Sequence, residues 1–142
     1  MVMDSLIKRY SYTIVRNDFV TAGKSSSDIK CNLKAIGIDS RIIRKIAIIS
    51  YEAEMNIVIH SLGGKLHCDI YEDKIVIVSE DIGPGIPDIE KAMTEGFSTA
   101  PDNVRELGFG AGMGLPNIKR YSDDFEISSN SGGTMITVTV LI

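Results

Sequence analysis

The chain has 142 residues, with 15 basic and 19 acidic side chains and a formal net charge of −4. That length suits one globular domain with a real core, and the acidic balance disfavours a nucleic-acid binder that grips phosphates with a basic face. No apolar run is long enough to span a bilayer and no charged-then-apolar leader opens the chain, so a cytoplasmic, non-membrane protein is expected. Cys31 and Cys68 follow no metal-type spacing and read as free, buried thiols.

No repeat, low-complexity block or linker divides the sequence. Leu6 to Val15, rich in Tyr, Ile, Thr and Val, predicts a first strand. Asp18 is placed to cap a helix running to about Ala35 and stopped by Gly37. Ser40 then caps a longer helix that ends near Gly63-Gly64. Leu66 to Tyr71 and Lys74 to Ser79 form a hairpin turning at Glu72-Asp73. A short helix is expected after Pro87, with Asp88 near its start. Thr94 to Ala111 is polar, glycine-containing and aperiodic, the profile of a functional loop. Helix returns from Met113 to Tyr121, and Phe125 to Ser129 with Thr134 to Ile142 close the chain as a hairpin.

On the long helix, Ile42, Ile46, Ile49, Ala53 and Ile57 form an apolar stripe. Glu52 and Asn56 are four apart, so they stack on one face at the flank of that stripe. Asn offers a neutral oxygen to Mg²⁺ and Glu can orient or deprotonate a nucleophile; the same pair also reads as a solvated surface couple. Ile48, Tyr51, Met55, Val58 and Ile59 make a second apolar side, read as helix packing or as a protein-contact surface. His60 falls near the buried stripe and is expected to be a hydrogen-bonded structural histidine. His67 lies in a strand without a partner motif. Neither stands in a phospho-acceptor box, which disfavours an autophosphorylating histidine kinase.

Asp81-Ile-Gly83-Pro-Gly85 follows the apolar run 75–78 directly. An Asp at a strand end can accept a hydrogen bond from an exocyclic amine, and the glycines let backbone approach a flat ligand; an ordinary turn is the plainer reading. Gly110-Ala-Gly112-Met-Gly114-Leu115 leads straight into a helix, whose first N–H groups and dipole suit phosphate. No Gly-Lys-Ser/Thr follows, so it is not a Walker P-loop.

In this order the three pieces resemble the Bergerat-fold ATP-binding superfamily of gyrase, the heat-shock chaperone, histidine kinases and MutL. Glu52 to Asn56 is similar to its N box, Asp81 to Gly85 to its first glycine box, and Gly110 to Leu115 to its second. Within it, the runs 80–90, 96–99 and 112–120 most resemble the small anti-sigma factor and serine-kinase group, of the stressosome switch-kinase type. The resemblance implies an α/β two-layer sandwich with a mixed, mostly antiparallel sheet and helices on one face. It implies ATP and Mg²⁺ as ligands, Glu52 as general base and Asn56 as the metal ligand. Asp81 would read adenine, with Gly83 and Gly85 shaping the pocket and Thr134 approaching the base. Gly110, Gly112, Gly114 and Leu115 would wrap the phosphates under a lid over 94–111, where Arg105, like Lys119 beyond it, is placed to meet phosphate or solvent. The activity implied is protein-serine kinase on a small anti-sigma-antagonist type protein, with a sigma factor and a second copy of the chain as further partners. A nucleotide-dependent anti-sigma binder with little turnover is the alternative.

Overall fold

The computed structural model describes residues 5–83, 85, 89, 93 and 114–142. Five strands and three helices occur among them: β1 (Lys8–Ile14), α1 (Lys24–Ala35), α2 (Ser40–His60), β2 (Gly64–Ile70), β3 (Lys74–Asp81), α3 (Gly114–Tyr121), β4 (Asp124–Asn130) and β5 (Gly133–Leu141). The sheet order is β1-β2-β3-β5-β4, and all four neighbouring pairs are antiparallel. The sheet expected to be mixed thus has no parallel pair among the described residues.

Strand alternation explains why the helices lie on one face. Across the sheet, Tyr12, Leu66, Ser79, Ile136 and Ile127 fall in one row, and Tyr10, Cys68, Ile77, Val138 and Phe125 in the next. These rows pack into the core with Ile43, Ile46, Ile49 and Ile57 of α2. Each such isoleucine withdrawn from water contributes roughly 2 kcal/mol. The intervening residues make the other face mostly polar, with Val76, Val78, Met135 and Leu141 as the apolar exceptions. Arg9 donates to both carboxylate oxygens of Asp69 at 2.6 and 2.8 Å. His67 shares hydrogen bonds with Ser11 Oγ at 2.8 Å and Glu80 Oε2 at 3.4 Å, partners contributed by the neighbouring strands and invisible to local sequence reading.

Several boundaries differ from expectation for local reasons. Asp18 does not cap α1; it accepts from the Thr21 amide at 3.2 Å and from its hydroxyl, closing a turn. The helix starts six residues later, after Gly23 in a left-handed conformation with φ 91°. Asp39, not Ser40, caps α2, accepting from the Arg41 amide at 2.8 Å. Cys68 is buried, and desolvation pushes its thiol up to about 12, whereas Cys31 is exposed. His60 is exposed at the end of α2 and outside the buried stripe. The helix expected after Pro87 and the loop over 94–111 lie outside the described residues, apart from a turn in which the Met93 amide donates to the Ile89 carbonyl at 2.9 Å. No helix among the described residues is long and apolar enough to cross a membrane.

The second apolar side of α2 divides: Met55, Val58 and Ile59 join the core, whereas Tyr51 is exposed. Met55 and Val58 are buried in the core, and the Tyr51 ring lies where a side chain on Gly23 would touch it at 3.4 Å. At the same junction Glu54, 2% exposed, reaches the start of α1. Its carboxylate accepts from the amides of Gly23 at 3.0 Å, Ser25 at 3.4 Å and Ser26 at 3.0 Å. Gly23 has no side chain with which to cap, so a glutamate from another helix satisfies the orphan N–H groups.

Candidate functional site

Two groups of candidate residues assemble on this frame. The first is at the α2–α3 contact. Glu52 and Asn56, one turn apart on α2, are both half-buried. The first residue of α3 is Gly114, and a Cβ built on it would lie 3.0 Å from Asn56 Oδ1 and 3.3 Å from Glu52 Oε2. Only glycine leaves both polar ends undisturbed at that spot. Asn117 stands one turn further along α3. Burial raises the Glu52 pKa above the ordinary carboxylate value, and the Asn117 contact offsets part of that rise. Leu115, expected beside phosphate, is buried with Ile118 in the core and fixes α3 against it. Gly110 and Gly112 lie outside the described residues.

The second group gathers where β3 ends beside the β4–β5 turn. Asp81 continues the row of Ile77 and Ser79, so its side chain is on the helix-facing side. Its Oδ1 accepts from the Thr134 amide at 2.7 Å, and burial raises its pKa while that hydrogen bond lowers it. Thr134 is buried, and its hydroxyl shares a 2.7 Å hydrogen bond with Ser129. The Gly83 amide donates to the Gly132 carbonyl at 2.7 Å. A Cβ on Gly83 would meet the Ser131 carbonyl at 2.5 Å, and one on Gly85 would meet that of Asn130 at 2.1 Å. Gly85 also has φ +84°, a conformation that side chains strain to adopt. The two glycines therefore permit the chain to run against the β4–β5 turn, an interaction between segments that the motif alone does not reveal. A cleft of about 540 Å³ opens next to this turn, with Arg16, Leu62, Ile82 and Gly132 in its wall.

The two groups have distinct chemical capacities. A carboxylate with raised pKa is a stronger base than free glutamate. The Asn56 amide oxygen and Glu52 carboxylate are hard donors that fit Mg²⁺ only if a ligand's own oxygens complete the shell. Consistent with that limit, the described residues contain no group of three or more His, Cys, Asp or Glu side chains able to hold a metal. Asp81, acceptor-rich and partly desolvated, suits a ligand amine. Asn117 and Glu54 are the two residues here without an expected role. Asn117 could have been noticed as the polar residue three positions after the last glycine, whereas nothing local marks Glu54.

Known proteins resemble this chain in both sequence and fold. The sequence profile of the histidine kinase-like ATPase domain matches residues 21–140. A 90-residue stretch is 39% identical to the serine/threonine-protein kinase RsbT of Bacillus subtilis (strain 168), covering 60% of this chain and 62% of that protein. Another of 92 residues is 35% identical to the anti-sigma F factor of Clostridium novyi (strain NT), covering 60% and 61%. The chain thus spans about three fifths of the length of these curated relatives. Among solved structures, the SiaB–SiaC complex from Pseudomonas aeruginosa matches 96% of this chain and 91% of its own with TM-score 0.56 at 12% identity. The histidine kinase domain of the Erythrobacter litoralis EL346 blue-light activated kinase matches 92% and 67% with TM-score 0.54 at 13% identity. At such identities the structural likeness concerns the fold, an α/β sandwich of Bergerat type. With the profile spanning most of the sequence, the chain belongs to the histidine kinase-like ATPase domain family.

Proposed function

We propose that the chain is an ATP-dependent protein-serine kinase that phosphorylates a small antagonist protein in a bacterial partner-switching pathway. The observation that carries this reading is the half-buried Glu52 carboxylate packed beside Asn56 at the start of the glycine-led helix α3. The name of the relative RsbT supports it. Asp81 accepts from the adenine amino group, Gly83 and Gly85 let the backbone approach the base, and Thr134 lines the same pocket. Gly110, Gly112 and Gly114 donate main-chain N–H groups to phosphate, and Leu115 anchors the helix behind them. Asn56 would hold Mg²⁺, which would supply charge neutralisation at the phosphates. Glu52 takes the proton of the acceptor serine as its oxygen bonds the γ-phosphorus and the bond to the bridging oxygen breaks, releasing ADP.

Incubation with γ-labelled ATP, Mg²⁺ and a purified anti-sigma-antagonist type domain tests the reading directly. Label on a serine of that domain, absent with Glu52→Gln, is the expected result; no transfer to any such domain despite ATP binding contradicts it. The relatives named anti-sigma F factor favour a second reading, a nucleotide-dependent binder of a sigma factor with little turnover. ATP-dependent complex formation without label transfer distinguishes it.

A further inference from the structure

Most residues of the cleft beside the β4–β5 turn have no part in the proposed chemistry. Its wall comes from three stretches of chain: Arg16 beyond β1, His60 and Leu62 at the end of α2, and Ile82, Gly83 and Gly132 where β3 meets the turn. Main-chain hydrogen bonds lock these stretches together. The Leu62 amide donates to the Ile82 carbonyl at 3.1 Å, the Ile82 amide to the Gly63 carbonyl at 3.0 Å, and the Asn17 amide to the Val58 carbonyl at 2.9 Å. Asn17, with φ 58°, is the one non-glycine residue of positive φ among those described, and it fixes the turn that presents Arg16. The cleft is therefore preformed.

What it presents is selective. The chain has a net charge of −4, yet among the described residues lining the cleft the ionisable side chains are Arg16 and His60, with no carboxylate. Beside them Leu62 is 54% exposed and Ile82 62%, adjacent through the hydrogen bonds between their main chains. A cation next to two projecting apolar side chains complements a carboxylate flanked by apolar residues. An enclosed small molecule would leave those side chains wet, whereas the surface of a second protein covers them. His60 lies eight residues after Glu52, about 12 Å along α2. One interface of ordinary size, about 800 Å² per partner, spans that separation, so a protein seated in the cleft can also bring a hydroxyl to Glu52.

We propose that this cleft is the docking site for the antagonist protein, taking an acidic–apolar segment with its carboxylate on Arg16 and its apolar side chain across Leu62 and Ile82. The inference rests on the kinase reading, and it supplies that reading with a recognition surface separate from the reacting groups.

The probe is a purified anti-sigma-antagonist type domain, titrated with Mg²⁺ and a non-hydrolysable ATP analogue present. It is titrated into wild type, Arg16→Glu, Leu62→Ser and the control Arg44→Glu, which makes the same charge change at an exposed position of α2 outside the cleft. Arg16→Glu and Leu62→Ser are expected to weaken binding about tenfold or more, and Arg44→Glu by less than about twofold. In methyl-labelled wild type the Leu62 and Ile82 resonances shift as the domain is added, while calorimetric affinity for ATP stays within about twofold in every variant. Equal binding by all the folded proteins overturns the inference and leaves the kinase reading intact. A domain that does not bind wild type at all removes the partner class itself, and the docking site falls with that reading. A loss of ATP affinity of about tenfold in Arg16→Glu assigns the arginine to nucleotide phosphate instead. Sedimentation in which Arg16→Glu and Leu62→Ser dissociate a dimer, with binding of the domain unchanged, assigns the cleft to a second copy of the chain. Either of these last results overturns the docking site.

Discussion

Gly114→Ala separates the site from the scaffold. Its new Cβ would stand 3.0 Å from Asn56 Oδ1, against 3.4 Å for an ordinary contact, an overlap of 0.4 Å; Glu52 Oε2, at 3.3 Å, is crowded by only 0.1 Å. Both neighbours are ends of side chains, so they yield by turning and not by moving backbone. Holding Asn56 off its preferred rotamer costs about 0.5–1.5 kcal/mol, while alanine gains up to about 1 kcal/mol over glycine in a helix. The two effects nearly cancel, so thermal unfolding should shift by less than about 4 °C. The displaced amide oxygen is the one assigned to the metal, and ATP–Mg²⁺ affinity by calorimetry should fall at least about tenfold. Unchanged affinity in a folded variant would refute the placement of Asn56 at the ligand. A fall in Tm beyond about 10 °C would show that the overlap is carried by the packing and not by the site.

Glu54→Ala should lower stability by about 3 kcal/mol in thermal or urea unfolding, because three amide contacts, one buried and two part-buried, lose a charged acceptor; a loss under about 1 kcal/mol would mean that water replaces the carboxylate. Asp81→Asn should weaken ATP binding about tenfold or more in calorimetry, since the amide brings a competing donor toward the Thr134 N–H and the ligand amine. Unaltered affinity would remove Asp81 from the pocket. Glu52→Gln should retain ATP binding, lose phosphoryl transfer and unfold a few degrees higher at pH 7. Burial raises the Glu52 pKa, so the folded chain binds that proton more tightly than the unfolded one, and stability is lost as pH rises through the folded value. The stability gain of the variant should therefore shrink toward zero below about pH 4, where the wild-type carboxyl is protonated in both states; a gain independent of pH would assign it to something other than this charge.

Local patterns made the architecture legible because they are written in residues close in sequence. Alternation in 8–14 and 133–141, the stripe Ile46, Ile49, Ala53 and Ile57, and the turn at 72–73 each specify their element without outside help. The pair Glu52 and Asn56 was readable for the same reason, as one helical turn brings them together. What escaped depends on contacts between distant segments. The late start of α1 follows from Glu54, thirty-one residues after Gly23, and the cap at Asp39 competes with an equally suitable Ser40. His60 is four residues past Asn56 and so follows the half-buried flank of that residue, while Ile57 and Val58 keep the last turn in the core, and extending the stripe by periodicity overshot. Asn117 gained meaning only once α3 lay across α2.

The clamp between Glu54 and α1 has an evolutionary consequence. Residues 52 and 54 are about 200° apart around the helix, so one carboxylate serves α3 and the other α1 from opposite sides of a single turn. Glu54 recognises α1 solely through main-chain amides of Gly23, Ser25 and Ser26. Such an anchor is blind to which side chains the helix displays. The exposed positions of α1 can therefore be resurfaced, by selection or by an engineer, without rewriting the residue that holds it, and one frame can be fitted with different outward-facing helices.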